Sequence, residues 1–378
     1  MKISIMTQPL GKNFGGMMQA YALQRAIETL GHDVVTIDRQ VDYPIGLKFH
    51  IKTLLNSCYK ILGKRTSPSN IVKHYDYIYS NGRSFVERNI KVTDVIRSSL
   101  ALEKHFQDNQ YDAVIVGSDQ TWRPRYSPNI YDYFLEFLDN NLTIKKIAYA
   151  SSFGVDTWEY TEEQSLRCRN AVKFFESVSV RELTGVDLCK KHLKVDVDWT
   201  LDPTLIVQRE VYDEILPKKE STGEPSGVYT YFLDKTESKV RLSEIVAETL
   251  QTYVYDKQAK CSINEKNASL LDDFKMPKPE EWLQGFRDAR YVITDSFHGM
   301  VFSLVFQKPF YVIANKNRGL ARFESLLKSI GLEDRIIMNI EEFDMGKIEY
   351  TIDYNQVNKK LNEMRHSSIK FLKSALDN

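Results

Sequence analysis

The stretch "YVITDSFHG", residues 291–299, places a histidine in one of the most apolar regions of the chain. An apolar run ends there in Asp295, Ser296 and Phe297, and His298-Gly299 open the next periodic segment. That order reads as a strand, a polar exit and a helix, so His298 falls at a helix N-terminus. There the helix dipole disfavours extra positive charge on the imidazole, while first-turn N–H groups favour an anion. Asp295 and Ser296 are placed to supply the cap. An ionisable group in that position suits general acid–base work. A histidine among apolar residues is more often structural, but an acid, a hydroxyl and a glycine in the same turn favour chemistry. No second His or Cys lies at ligand spacing, so no metal site is expected.

Four other stretches pair polar residues with strand exits. In "NFGGMMQAYALQ", Asn13, Gly15 and Gly16 precede a helix that begins right after the first strand, and its N–H groups can point at an anion. The pattern is neither G-x-G-x-x-G nor a P-loop, and a glycine turn for tight strand–helix packing explains it equally well. Gln19, one turn in, is placed to face a cleft. In "VIVGSDQTWRPR", an apolar strand ends in Gly117, Ser118, Asp119 and Gln120, followed by Trp122; Asp119 suits a base or a hydroxyl-orienting role. An Asx-type turn is the plainer account. In "VSVRE", Arg181 leaves an apolar strand, where it is placed for bidentate capture of a carboxylate or phosphate. A salt bridge to Glu182 or another carboxylate is the commoner outcome. In "NKNRGLARFESLL", Arg318 and Arg322 lie four apart at a helix start, suited to phosphate or to solvent.

The elements that position these residues repeat one pattern. "KISIMT", a glycine-containing loop, a helix carrying Met17, Ala20, Leu23, Ile27 and Leu30 at helical spacing, and "DVVTID" form a strand–helix–strand unit. "YDAVIVGSD", "KKIAYASS", "SVSVRE" and "VDVDWTLDP" continue it. The polar segment 217–227 reads as a linker. Beyond it, "GVYTYFL", "TYVYD", "ARYVITDS" and "PFYVIA" alternate with helices near 236–250, 279–288 and 319–330. The expectation is an α/β protein of two Rossmann-like domains facing across a cleft, residues 1–215 and 226–350. A helical insertion is expected at about 41–110, and an amphipathic helix at 354–378 returning to the first domain. Ligands in such sheets bind beyond the strands' carboxyl ends, where every motif above falls.

Composition narrows the partners. The 378 residues carry 51 Lys+Arg and 51 Asp+Glu, so no basic footprint for nucleic acid is present and any anion must be caught locally. The four cysteines form no C-x-x-C pair. "MKISIMTQPL" lacks the apolar core of a signal peptide, and no run approaches the ~18 apolar residues of a membrane span. A cytoplasmic protein is expected, with room for peripheral contact at the inner face of the membrane.

Taken in order, "NFGGMMQAYALQ", "VGSDQTW", "YASSFG", "VSVRE", "LDPTLI", "VITDSFHGMVFSLVFQKPFYVI" and "RFESLL" resemble the polysaccharide pyruvyl transferase family. The resemblance implies a glycosyltransferase-B-like arrangement. It also implies transfer of the enolpyruvyl group of phosphoenolpyruvate, a co-substrate, onto two hydroxyls of a nucleotide-linked or lipid-linked sugar, with no cofactor. By that likeness the donor is held by Arg181, Ser296, Phe297, His298, Gly299 and Arg322, with His298 as the acid. The acceptor falls to Asn13, Gly15, Gly16, Gln19, Ser118, Gln120 and Trp122, with Asp119 as the second catalytic group. Many members carry an arginine where Ser296 stands here. A nucleotide-sugar glycosyltransferase and a non-catalytic glycan-binding relative are the competing readings.

Overall fold

The structure is a computed structural model of the chain and describes residues 1–42, 47–63, 71–138, 143–218, 226–263, 270–314 and 319–377. Most of the expected linker and Arg318 fall outside the described residues. The first sheet contains β1 (Lys2–Met6), β2 (Asp33–Ile37), β3 (Ala113–Val116), β4 (Lys145–Ser151), β5 (Ser177–Val180) and β6 (Asp198–Trp199). Its order is β2-β1-β3-β4-β5-β6, and every pairing is parallel. The second contains β7 (Ser226–Tyr231), β8 (Val254–Asp256), β9 (Ala289–Thr294), β10 (Phe310–Ile313) and β11 (Ile336–Ile337), ordered β11-β10-β9-β7-β8 and also parallel. In both sheets the strand order reverses beside the first strand, between β1 and β3 and between β7 and β9. Such reversals open a crevice at the carboxyl ends, because the flanking connections leave in opposite directions.

The strands are continuous apolar runs because helices cover both faces. β3 is buried throughout, and the helix Phe14–Thr29 buries Met17, Ala20, Leu23 and Ile27 at the expected spacing. One apolar cluster links the halves below the cleft. Phe14 stacks on Trp282 with centroids 5.2 Å apart, and Tyr212 meets Phe302 edge-on at 5.1 Å. The segment 41–110 contributes the helices Leu47–Ile61, Tyr75–Ile78, Ser80–Asn89 and Ser99–Asp108.

The C-terminal helix Tyr354–Asp377 begins against the second half, where the Tyr354 hydroxyl donates to the Lys308 carbonyl at 2.5 Å. Its 24 residues span about 36 Å at 1.5 Å per residue. That length carries it under the first sheet. Ser368 Oγ there accepts from the Leu201 amide at 3.0 Å, and Lys145 Nζ donates to the Leu376 carbonyl at 2.7 Å.

Candidate functional site

The two crevices face each other and enclose a cavity of about 400 Å³. Its first wall carries Asn13, Asp119, Gln120 and Arg123, and its second carries Ser296, Phe297, His298 and Arg322, with Lys12 at the rim. Parallel strands aim their carboxyl ends at this gap, so residues distant in sequence meet there.

On the second wall, β9 ends and the helix Phe297–Val305 begins at once. Ser296 is its N-cap, with Oγ accepting from the Gly299 amide at 3.4 Å. Asp295, expected to share that cap, turns away: its carboxylate accepts from the Leu233 and Asp234 amides and pairs with Lys239 Nζ at 2.6 Å. Ser296→Ala is therefore expected to lower stability by about 1 kcal/mol, the usual worth of an N-cap, in denaturant titration. A matching fall of less than tenfold in turnover per bound donor would assign Ser296 to the helix alone. Gly299 serves packing, since a Cβ there would come within 2.2 Å of Thr294 Oγ1.

His298 projects from the first turn across the gap. A Cβ on Gly15 would lie 2.0 Å from His298 Nδ1, so the missing side chain of Gly15 is what admits the ring. Gly15 thus meets the opposing histidine, the close-packing alternative carried across the cleft. Gly15→Ala is expected to cost about 1–3 kcal/mol through overpacking, read in thermal melts. Unchanged melting and unchanged activity together would show that the ring need not occupy this place.

Behind the histidine lies a buried charged cluster. Arg181 Nη1 donates to Asp202 Oδ2 at 2.6 Å and Nη2 to Asp119 Oδ1 at 3.3 Å, with the Arg181 side chain 1% exposed. Of the two outcomes open for Arg181, the salt bridge is the one observed, with partners other than Glu182. Glu182 Oε1 instead accepts from Ser152 Oγ and the Phe153 and Gly154 amides, tying down the exit of β4. Arg181 therefore stands behind the cavity wall, where it holds two carboxylates in place. Asp119 adopts φ 66°, a left-handed conformation that costs a non-glycine residue free energy and recurs at functional sites.

Asp202 is the member that motif reading did not single out. It caps the short helix Pro203–Ile206, with Oδ1 accepting from the Thr204 amide at 3.0 Å. Oδ2 lies 3.6 Å from His298 Nε2, an ion-pair distance longer than a hydrogen bond. Burial alone would raise the Asp202 carboxyl; the His298 imidazole and Arg181 charge outweigh it and hold the group well below the usual range. Its signal was the Asp-Pro pair at a strand exit, an N-cap followed by proline at the first helical position.

Phe297 lies between two guanidiniums, with Arg181 Cζ 4.6 Å and Arg322 Cζ 5.6 Å from its ring centroid. Burial, then repulsion from Arg181, lowers the Arg322 group to about 10. Arg322 is a cation in an unfavourable setting beside a helix N-terminus, and a bound anion would relieve it.

Five of the seven residues expected to touch the acceptor, Gly15, Gly16, Gln19, Ser118 and Trp122, do not line the cavity. Trp122 is fully buried, its Nε1 donating to the Tyr133 carbonyl at 3.1 Å and its ring stacked on Phe134 at 4.7 Å. It is a core residue because the chain turns inward after Gln120. Gln19 is also fully buried, donating to Thr7 Oγ1 and accepting from the Ser118 amide, which clamps the two strand exits together. Ser118 Oγ donates to the Ala150 carbonyl at 2.7 Å. Gly16 is buried beside Asp119, and Asn13 and Gln120 line the cavity. Lys12 and Arg123 line it too, with Arg123 held by Glu159 through two hydrogen bonds. Among the described residues no group of three or more His, Cys, Asp or Glu is arranged to hold a metal.

Two parallel sheets with facing crevices, a histidine and an arginine on one wall and Asp119 on the other, define a two-part α/β protein with a polar cleft between its halves. The chain belongs to the polysaccharide pyruvyl transferase family, whose model matches residues 13–317, and so to a family of transferases. No curated protein matches the sequence significantly. Among solved structures, the glycotransferase of kitacinnamycin is 11% identical, with 99% of each chain covered and a TM-score of 0.47. The UDP-GlcNAc 2-epimerase from Methanocaldococcus jannaschii is 13% identical, covering 97% of this chain and 93% of that one, with a TM-score of 0.48. A glycosyltransferase from Streptomyces nogalater is 12% identical over 99% of each chain, with a TM-score of 0.46.

Proposed function

We propose that the chain transfers the enolpyruvyl group of phosphoenolpyruvate onto two hydroxyls of a sugar in a surface polysaccharide precursor, forming a cyclic pyruvate ketal and releasing phosphate. The observation that carries this reading is His298 at a helix N-terminus, beside Arg322 and opposite Asp119. Together they offer an anion site, an acid and a base around one gap. The donor phosphate would lie against the first turn of the Phe297–Val305 helix and Arg322. The sugar would lie against Asn13, Asp119 and Gln120.

The chemistry balances without a further reagent. Asp119 takes the proton of the first hydroxyl as its oxygen bonds to C2 of the donor, and His298 delivers a proton to C3, turning methylene into methyl. The C2–phosphate bond then breaks, the second hydroxyl bonds to C2, and its proton leaves with phosphate. Two hydroxyl protons are lost, and one proton ends on carbon and one on phosphate. Asp119 gives its proton to solvent and His298 takes one back, which restores both groups. An acid and a base on opposite walls suit that traffic. Asp202, kept ionised, fixes the imidazole from behind, and Arg181 fixes both carboxylates.

The test is phosphate release from phosphoenolpyruvate in the presence of nucleotide-linked and lipid-linked sugars, with mass analysis of the product for the ketal. Release that depends on an acceptor is expected. If UDP- or GDP-sugars raise the melting temperature, phosphoenolpyruvate does not, and no acceptor supports release, the nucleotide-sugar reading replaces this one.

A further inference from the structure

We propose that the helix Leu47–Ile61 docks the protein on an anionic lipid surface. Ile51, Leu54, Leu55, Tyr59 and Leu62 recur at the spacing of one helical stripe, yet they are 49%, 66%, 52%, 49% and 66% exposed. Ile61 beside them is 85% exposed. A stripe with that period normally faces a core, where it would be covered. Here it faces out.

Charge identifies what covers it. Between Asp42 and Asp76 the sequence has no acidic residue, but it has Lys48, Lys52, Lys60, Lys64, Arg65 and Lys73. The whole chain balances 51 acids against 51 bases, so this one-sided segment is a local departure. An amphipathic helix with an apolar stripe, lysines and no acids has the composition of one lying in the plane of a membrane interface. Basic residues there gain from anionic headgroups. The 15 residues are too few to cross a bilayer, and among the described residues no helix is long and apolar enough to do so. The helix lies on the surface.

Docking there serves the cleft. Downstream of the helix, the Tyr75 and Tyr79 rings lie 4.9 and 5.5 Å from Lys12 Nζ. Lys12 stands at the rim of the 400 Å³ cavity and of a neighbouring one of about 1120 Å³, which Tyr79 also lines. The chain that follows the helix thus supplies Tyr79 to the wall of that neighbouring cavity. An acceptor carried on a lipid would arrive from that side. The docking itself requires no donor and no turnover, so it stands or falls separately from the proposed activity.

The experiment is sedimentation of the full chain with vesicles of phosphatidylcholine alone or mixed with phosphatidylglycerol. The chain is expected to pellet with the mixed vesicles, to stay in solution with phosphatidylcholine alone, and to be released by salt. The double change Leu54→Glu and Leu55→Glu is expected to lower the partition coefficient at least about tenfold. Lys60→Glu is expected to lower it about fivefold. Because these side chains are exposed, melting curves of the variants should match the parent, which separates lost docking from lost folding. Equal binding to both vesicle types, binding to neither, or unchanged binding by the double variant overturns the proposal. So does self-association of the parent that the double variant abolishes with no vesicle binding, a result assigning this face to a second copy of the chain.

Discussion

His298→Ala is expected to cut acceptor-dependent phosphate release by about 10²- to 10⁴-fold, the usual contribution of a positioned acid–base group. Three features of its setting lead to that magnitude. Nε2 is buried and has no hydrogen-bond partner among the described residues, so the ring is not spent on holding the fold. An ionised Asp202 lies 3.6 Å behind it, at ion-pair distance. The missing side chain of Gly15 leaves the space that this ring fills. Removing the imidazole leaves Asp202 with Arg181, the Thr204 amide and Thr204 Oγ1, which donates at 2.6 Å. The cluster therefore stays paired and the protein should fold. His298→Gln, closer in volume, checks that point: it should melt with the parent and still lose most turnover. Turnover within tenfold of the parent in both variants would remove His298 from the chemistry. Loss in the alanine variant alone would reduce it to a packing group.

The strand exits were legible because parallel sheets concentrate function at carboxyl ends, and an apolar run followed by small or polar residues marks such an end. His298, Asp119 and Arg181 were found that way, though they lie on two sheets. The direction of a side chain after a strand exit was not legible. Trp122 and Gln19 occupy the same motifs as Gln120 and Asn13 but are fully buried, and only the turn geometry separates them. The partner of Arg181 was equally hidden. The adjacent Glu182 was the local choice, while the observed partners are 21 and 62 residues away, and pairings at that separation are set by sheet order. β11 was missed because two residues, Ile336–Ile337, show no period. Asp295 could not be read either: its partner, Lys239, comes from a helix on the far side of β7.

Arg181→Met is expected to destabilise the protein by about 3–5 kcal/mol at pH 7, because it strands two buried carboxylates without their cation. The sign of its pH dependence follows from Asp202. In the parent, the folded Asp202 carboxyl is held below its unfolded value, so the stability it contributes is present above that value and is lost as pH falls. In the variant, burial persists while the main counter-charge is gone, so protonating the carboxyl relieves the folded state. The gap between parent and variant should therefore narrow as pH is lowered from 7 toward about 4, the ordinary carboxyl range. Denaturant titrations at several pH values measure it directly. Adding Asp202→Asn to Arg181→Met should recover part of the loss at neutral pH, since a buried ion pair removed whole costs less than one broken in half. A constant gap across that range, or no recovery in the double variant, would mean that Arg181 acts by packing against Phe297 and not by charge. Together with the histidine result, this separates two roles within one cluster. Arg181 and Asp202 should carry stability and orientation, while His298 carries turnover at little structural cost.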